Sequence, residues 1–151
     1  MAYILTASAT ADAIAAAEGD PLAEWIAEEG LRPLVTPVTM AQVLHSIEND
    51  PDLSSRERTA YRRLADEAMR DLEDRKEDIL ANAGFGFHEA RVLAEIMDNA
   101  AAAPFGEFDL IPAAIAIRRG HDLVIVEHIV AWSTFADNIP DAIGKLRLKV
   151  F

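Results

Sequence analysis

Several residue types and patterns are missing from this chain of 151 residues. It has no cysteine, which excludes a disulfide scaffold, a cysteine-ligated zinc site and a thiol nucleophile. No apolar run reaches the roughly 18 residues that span a bilayer. No cationic segment precedes the apolar N-terminal stretch, so we expect no signal peptide, no membrane association and a soluble, cytoplasmic protein. Phosphate-binding glycine loops and a Ser-His-Asp order are also absent.

Positive charge is scarce as well. The sequence has 14 Lys and Arg against 26 Asp and Glu, for a net charge of -12. Tight binding to RNA is therefore not expected, because its affinity comes largely from Lys and Arg that neutralise phosphates. Hydrophobic residues make up 51%, too many for a disordered chain. The length predicts one domain over residues 1–151.

Short apolar strands alternate with amphipathic helices along the chain. The predicted strands lie near Ala2–Leu5, Leu34–Val38 (within an extended Arg32–Val38 segment), Leu123–Val126 and Leu146–Val150. The predicted helices are Ala9–Glu18, Pro21–Gly30, Thr39–Asp50, Ser54–Leu80, Phe87–Ala103 and Asp109–Arg119, with a loop or short helix at Ile129–Phe135. This order predicts an α/β sandwich with a central parallel sheet. Ligands of such sheets bind beyond the carboxyl ends of the strands, which would bring together Thr6, Thr39–Gln42, Asp109 and Glu127–Ala131.

Four segments resemble the sequence blocks of one protein family. The first, Ile4–Ser8, stands where that family has LLDTN at the end of a hydrophobic strand. The second, Val35–Glu48, stands where it has a strand and then a helix carrying a glutamate. The third begins at Asp109, with DLIPAAIA in place of DALIAAIA. The fourth, Val124–Trp132, stands where the family has LVTRN followed by DF. In order and spacing, these blocks resemble PIN-domain proteins of the VapC toxin type over nearly the whole chain.

The resemblance implies a fold, an activity and partners. The fold would be a PIN-like three-layer α/β/α sandwich, and the partners would be a second copy of the chain and an antitoxin-like protein. The family activity is endoribonuclease chemistry, in which clustered carboxylates hold Mg²⁺ or Mn²⁺ and the metal activates water. The family's carboxylate positions fall here on Thr6, Gln42, Asp109 and Ala131.

Most of these positions have lost their carboxylate. Only Asp109 keeps an acid, and Glu107 is an additional carboxylate nearby. Hard cations prefer several charged oxygen ligands, and Thr6, Gln42 and Ala131 supply none. We therefore expect no bound cofactor, a metal site at Asp109 that is weak at most, and no catalytic residue, with Asp109 and Glu107 as remnants of the acidic site.

Three functional hypotheses remain open at this point. The first is a pseudo-nuclease that acts by protein–protein interaction. It is favoured by Glu127 and His128, which replace Arg and Asn and put a negative charge where a phosphate would approach. The second is an active Mg- or Mn-dependent endoribonuclease toxin with a rearranged acidic site of Asp109, Glu107 and either Glu48 or Glu127. The third is an unrelated acidic binding module that shares only the fold.

The candidate site residues also have simpler structural interpretations. Asp109 suits the N-cap of the helix that runs to Arg119, and Thr6 and Ser8 suit the cap of the first helix. Phosphate binding at that helix start is the functional alternative for these two hydroxyls. Gln42 suits hydrogen-bonded packing at the edge of the sheet.

Two predicted helices are longer than one small sheet needs for cover. They are Ser54–Leu80 and Phe87–Ala103. We expect apolar residues on them, such as Leu64, Val92 and Ile96, to help form a twofold interface.

Overall fold

A five-stranded sheet forms the centre of the computed structural model, which describes residues 2–76 and 80–151. The strands are β1 (Tyr3–Leu5), β2 (Leu34–Val35), β3 (Ala81–Asn82), β4 (Asp122–Ile125) and β5 (Arg147–Val150). The helices are α1 (Ala7–Ala15), α2 (Pro21–Glu29), α3 (Pro37–Asn49), α4 (Ser55–Glu73), α5 (Phe87–Met97), α6 (Glu107–Arg119) and α7 (Ile129–Asp137). The strand order is β3-β2-β1-β4-β5, and every strand pair is parallel.

Both faces of the sheet are covered by helices. Ile4 of β1 and Leu123 of β4 join an apolar cluster with residues of α5, α6 and α7. Their neighbours Leu5 and Val124 join a second cluster with residues of α1, α2 and α3. Successive strand side chains point to opposite faces, so this alternation fills both layers. The predicted α/β/α sandwich with a central parallel sheet is confirmed.

The strand order creates a crevice between β1 and β4. The chain leaves β1 toward β2 on one side of the sheet and leaves β4 toward β5 on the other. Ligand sites of open α/β sheets lie at such a reversal, outside the carboxyl ends of the strands. Here the segments after β1 and β4 begin at Thr6 and Val126.

The second predicted strand is shorter than expected. β2 covers only Leu34–Val35, and α3 begins at Pro37 instead of Thr39. The hydroxyl of Thr36 accepts a hydrogen bond from the Thr39 N–H at 2.9 Å and caps the helix. Proline fits the first helical turn because its missing N–H would have no partner there.

The helix predicted over Ser54–Leu80 is also too long. α4 ends at Glu73, and Arg75 has a left-handed backbone with φ of 55°. Residues 77–79 lie outside the described part of the chain, including Ile79 of the predicted apolar stripe. An unpredicted strand, β3, follows, and the Ala81 N–H donates to the Pro33 carbonyl at 2.9 Å.

The predicted helix Phe87–Ala103 is broken. α5 ends at Met97, and a separate 3₁₀ turn covers Ala100–Ala102. Val92 and Ile96 face the core, with 9% and 1% of their surface exposed. They pack in the cluster that contains α6, so their predicted role in a twofold interface is wrong.

The remaining helices differ from prediction mainly at their ends. α1 covers Ala7–Ala15 instead of Ala9–Glu18, and α6 begins at Glu107, two residues before the predicted start. Pro112 therefore lies at the sixth position of α6 instead of the fourth. No helix in the described ranges is long and apolar enough to cross a membrane.

Candidate functional site

A cavity of about 160 Å³ opens at the carboxyl ends of β1 and β4. Residues from five segments line it: the start of α1, the turn before α6, α6 itself, the β4–α7 connection and α7. They are Thr6, Ala7, Ser8, Pro104, Phe105, Asp109, Glu127, His128, Ala131 and Trp132. The cavity therefore lies at the crevice that the strand order predicts, and it includes the family positions Thr6, Asp109 and Ala131.

Asp109 has partners for both of its carboxylate oxygens. Oδ2 accepts a hydrogen bond from the Gly106 backbone N–H at 3.0 Å, and Oδ1 accepts one from Gln42 Nε2 at 2.7 Å. Gly106 is the N-cap residue of α6, and Asp109 is its third helical residue. The N-cap interpretation of Asp109 is therefore wrong, because the helix starts two residues earlier. Its carboxylate nevertheless satisfies a free N–H at that helix start.

Gln42 ties α3 to α6 through this contact. The donating group is the amide NH₂, which an ionised glutamate at the same position would not have. The other amide atom, Oε1, is buried and has no hydrogen-bond partner among the described residues. Gln42 is thus hydrogen-bonded as the packing interpretation expects, and its partner is the one acid left at the family positions.

Thr6 and Ser8 hold the start of α1 to the β4 side of the crevice. Thr6 Oγ1 donates to the Val124 carbonyl at 3.0 Å, and its side chain makes no capping bond to α1. The Ser8 hydroxyl donates to Glu127 Oε1. The predicted side-chain capping by these hydroxyls is therefore wrong, because both reach across to the neighbouring connection instead.

Glu127 brings negative charge to the mouth of the cavity, and His128 lies beside it. Both are exposed, and His128 Nε2 lies 3.6 Å from Glu127 Oε1. His128 precedes α7 with a left-handed backbone, φ of 54°. Burial, followed by repulsion from Asp20 and Glu127, raises the pKa of Asp12 on α1. The acids of the cavity lining are Asp109 and Glu127, and the described residues of the lining include no lysine or arginine.

An aromatic wall closes the cavity beside Ala131. Trp132 is buried, with 4% of its surface exposed. Its ring stacks on Phe105 with centroids 4.1 Å apart, and Phe135 packs edge-on against it. This cluster anchors α7 to the turn before α6. Ala131 therefore lies at the cavity. An aspartate or glutamate at this position would place its carboxylate inside the cavity.

The other acids of the rearranged-site hypothesis do not converge on Asp109. Glu107 is exposed at the first position of α6 and does not line the cavity. Glu48 binds Arg62 at 2.6 Å, and this hydrogen bond lowers its pKa. Only Glu127 shares the cavity with Asp109. Within residues 2–76 and 80–151, no three His, Asp or Glu side chains form a group that could hold a metal ion.

Comparison with solved structures identifies the fold. VapBC2 from Rickettsia felis, in a structure bound to a DNA fragment from its promoter, matches with a TM-score of 0.66 at 13% identity, covering 99% of this chain and 98% of that chain. The fold is PIN-like. DNA-bound VapBC from Salmonella typhimurium matches at a TM-score of 0.61 and 16% identity, with the same coverage. No protein-family model and no curated protein matches the sequence. The resemblance to the VapC type is thus confirmed at the level of the fold.

Sequence reasoning missed two contacts at this site. The Ser8–Glu127 bond joins residues 119 positions apart, and no local pattern marks such a pair. The Phe105–Trp132 stack was likewise not expected. The contact between Gln42 and Asp109 had a signal, because the resemblance assigns both residues to one carboxylate cluster.

Proposed function

We propose that this chain is a PIN-like domain that has lost metal-dependent nuclease chemistry and acts through protein–protein interaction. The observation that carries the proposal is the 2.7 Å hydrogen bond from Gln42 Nε2 to Asp109 Oδ1. Two carboxylates this close repel each other unless a cation lies between them. With an amide at position 42, the contact is favourable without any cation.

The donor set does not fit Mg²⁺ or Mn²⁺. These ions dehydrate reluctantly and require charged oxygen ligands in near-octahedral geometry. Asp109 uses both oxygens in hydrogen bonds, and Glu127 accepts the Ser8 hydroxyl. Thr6 donates its hydroxyl proton to a backbone carbonyl, and the side chain of Ala131 has no ligand atom. The residues at the family positions therefore do not form a site for either ion.

The charge of the site also opposes RNA. A phosphodiester that enters the cavity meets Asp109 and the exposed Glu127, and the chain carries a net charge of -12. The affinity of proteins for nucleic-acid phosphates comes largely from lysine and arginine, and neither is found among the described residues of the cavity lining. This arrangement supports a role that does not require tight RNA binding.

Protein partners are the remaining part of the proposal. Two of the solved structures with this fold are VapBC assemblies bound to DNA. By analogy, we propose that this chain binds an antitoxin-like protein and forms a homodimer in the cytoplasm, as a single domain over residues 1–151. Light scattering tests the dimer, because a monomer has a mass of 16.5 kDa.

A second candidate function is a metal-dependent endoribonuclease with a rearranged site. The observation that favours it is the presence of both Asp109 and Glu127 in one cavity. Glu127 is exposed, so its side chain has room to leave Ser8. This candidate requires that Mg²⁺ or Mn²⁺ displace the hydrogen bonds that now hold the two carboxylates.

One experiment distinguishes these functions. The natural protein, its Asp109→Asn variant and a triple variant, Thr6→Asp with Gln42→Glu and Ala131→Asp, are compared by calorimetry with Mn²⁺ and by cleavage of a mixed-sequence RNA. We expect no metal-dependent cleavage by the natural protein and measurable Mn²⁺ binding only by the triple variant. Cleavage by the natural protein that Asp109→Asn abolishes would establish the rearranged nuclease instead.

A further inference from the structure

One edge of the central sheet is formed by β5. It is the last strand in the order β3-β2-β1-β4-β5, and it pairs in parallel with β4 along its whole length. The Phe151 N–H donates to the Ile125 carbonyl of β4 at 3.1 Å. Successive residues of a strand direct their N–H and C=O groups alternately to its two sides. Leu148 and Val150 therefore direct these groups away from β4.

The outward backbone groups of β5 are available to a partner. Within residues 2–76 and 80–151, no hydrogen bond involves the N–H or C=O of Leu148 or Val150. Leu148 is half-buried, and Val150 is 44% exposed. The strand behind them is rigid, because Leu123–Ile125 of β4 are fully buried. An edge of this kind offers preformed main-chain donors and acceptors to an added strand.

Basic side chains mark this edge in an otherwise acidic protein. The stretch 145–149 contains Lys145, Arg147 and Lys149 and no Asp or Glu, in a chain with a net charge of -12. Arg147 and Lys149 share one face of β5 because they are two residues apart. Arg147 already binds Asp122 at 2.8 Å. Lys145 and Lys149, in contrast, form no salt bridge with any residue that the structure describes.

Lys149 lies over an aromatic pair instead. Its Nζ atom is 5.3 Å from the ring centroid of Trp25 on α2 and 5.6 Å from that of Phe151. Both rings are half-buried, and their centroids are 4.9 Å apart. Cation–π contact holds the ammonium group on this face of the sheet without neutralising its charge. A carboxylate that approaches β5 on the same face therefore meets a positioned cation.

We propose that the open edge of β5 is the docking site for an extended segment of a partner protein that alternates acidic and aliphatic residues. The segment adds a strand to the sheet through the N–H and C=O groups of Leu148 and Val150. Its acidic side chains face Arg147 and Lys149, and its aliphatic side chains continue the layer of Leu148 and Val150. The inference rests on the proposed interaction function and names the chemistry of the partner.

Charge disfavours a second copy of the chain at this edge. In a twofold pairing of two β5 strands, the same surface meets itself. If Leu148 and Val150 exchange hydrogen bonds across that interface, Lys149 lies at the axis, opposite Lys149 of the other copy at a Cα separation of about 4.5 Å. Like charges directly opposite on neighbouring strands are destabilising. A partner with an acid at that position replaces the repulsion with attraction.

Three synthetic peptides of eight residues test the proposal. The first alternates valine and glutamate, the second alternates valine and lysine, and the third is the first with its backbone nitrogens methylated, which removes the main-chain donors. Affinity for the full chain is measured by fluorescence anisotropy at neutral pH. We expect the first peptide to bind and the other two to bind at least tenfold more weakly. Amide hydrogen exchange at Leu148 and Val150 should slow in the complex with the first peptide.

Matched variants locate the binding. Val150→Pro removes the outward N–H of that residue, whereas Val150→Thr keeps it. Proline is tolerated on an edge strand where the N–H faces solvent, so both variants should fold, which circular dichroism checks. Only Val150→Pro should weaken binding of the first peptide at least tenfold. Lys149→Glu should reverse the preference between the glutamate and lysine peptides.

The outcomes separate this inference from the proposed function. Failure of the first peptide to bind, equal binding of the methylated peptide, or unchanged affinity of Val150→Pro overturns strand addition while the RNA cleavage result stands. A dimer of the free chain that Val150→Pro dissociates assigns the edge to a second copy and also overturns it. Binding of a single-stranded RNA that Lys149→Glu abolishes assigns the basic side chains to nucleic acid and likewise overturns it. Metal-dependent cleavage by the natural protein would instead overturn the proposed function, whatever the peptides do.

Discussion

Gln42 donates a hydrogen bond to Asp109 at 2.7 Å and thereby joins α3 to α6 across the carboxyl edge of the sheet. The two residues are 67 positions apart in the chain. Asp109 in turn accepts the Gly106 N–H at the start of α6. One carboxylate thus holds α3 to the start of α6 through its two hydrogen bonds.

Gln42→Glu should destabilise the protein at neutral pH. The change removes a hydrogen bond to a charged acceptor, which contributes about 1.5–3 kcal/mol, and puts two carboxylates in contact. We expect the free energy of unfolding in urea to fall by about 2 kcal/mol or more. Acid pH or added Mn²⁺ should restore part of the loss, because protonation or a cation relieves the repulsion.

A second-site change offers a strict check on this interpretation. With Asp109→Asn added, the new side-chain amide could accept the Gly106 N–H with its oxygen and donate its NH₂ to the carboxylate introduced at position 42. Gln42→Glu with Asp109→Asn should therefore be more stable than Gln42→Glu alone. Glu48→Gln on the same helix is the control, since its exposed pair with Arg62 contributes little to stability. Additive losses in the double variant would show that residues 42 and 109 are not coupled.

Glu89 should make stability depend on acid pH. It is 7% exposed, accepts the Gly86 N–H at 3.1 Å and binds Arg119 Nε at 2.8 Å. Bonding from its own backbone N–H, from Arg119 and from Gly86 lowers its pKa despite burial. A carboxyl group whose pKa is lower in the folded state than in the unfolded state stabilises the protein fully at pH values above its unfolded-state pKa. This stabilisation is lost as the pH falls through the folded-state pKa.

Glu89→Gln is the variant that measures this contribution. The substitution should lower the free energy of unfolding at pH 7. It should also make that free energy fall less steeply as the pH drops below the ordinary glutamate pKa of 4.5. Urea titrations from strongly acid to neutral pH give both quantities. If the free energy of unfolding of Glu89→Gln falls as steeply with acid pH as that of the natural protein, other carboxylates cause the decline.

The layer architecture was predictable because it depends on patterns that sequence displays. Continuous apolar strands such as the one ending at Leu5, and helices closed by residues such as Pro21 and Gly30, mark their own limits. α4 could not be bounded in this way. No proline or glycine lies between Ser54 and Leu80, and β3 at Ala81–Asn82 pairs with a strand far away in sequence. The pairing of β3 with β2 therefore limits the length of the helical segment, and local helix propensity gives no sign of that limit.

The sequence predicted that Thr6, Asp109 and Ala131 lie near one another, but it did not predict the hydrogen bonds that these positions make. The family resemblance brought Thr6, Gln42 and Asp109 to one edge of the sheet, where topology alone also puts strand ends. Which hydrogen bonds replace the lost ligands depends on small differences in side-chain reach. The direction of Ser8 toward Glu127 is of this kind, since an exposed hydroxyl at a helix start has its own capping position within reach.

Asp12→Asn should stabilise the protein at neutral pH. Burial, Asp20 and Glu127 raise the pKa of Asp12, so the folded state disfavours its ionised form. A raised carboxyl pKa gives stability that is present at low pH and is lost as pH rises through the folded value. The variant should therefore melt higher than the natural protein at pH 7 and lose this advantage near pH 3. An equal difference at both pH values would contradict the electrostatic explanation.

Ala16→Gly should also stabilise the protein, through the backbone alone. Ala16 ends α1 in the left-handed region with φ of 46°, and its side chain is exposed. That conformation costs a non-glycine residue about 1 kcal/mol or more, whereas glycine adopts it freely. Because the unfolded chain of the variant is more flexible, we expect a net gain of about 0.5–1 kcal/mol, which raises the melting temperature by roughly 1–4 °C in a domain of this size.

Ala15→Gly, one residue earlier, is the matched control for the change at position 16. Ala15 is the last residue of α1 and has no positive φ, so glycine there brings only the entropic cost and should lower stability by about 0.5–1 kcal/mol. A left-handed backbone at Ala16 but not at Ala15 therefore predicts that glycine changes stability in opposite directions at these two positions. If both glycines destabilise, the strain at Ala16 is too small to outweigh the added freedom of the unfolded chain.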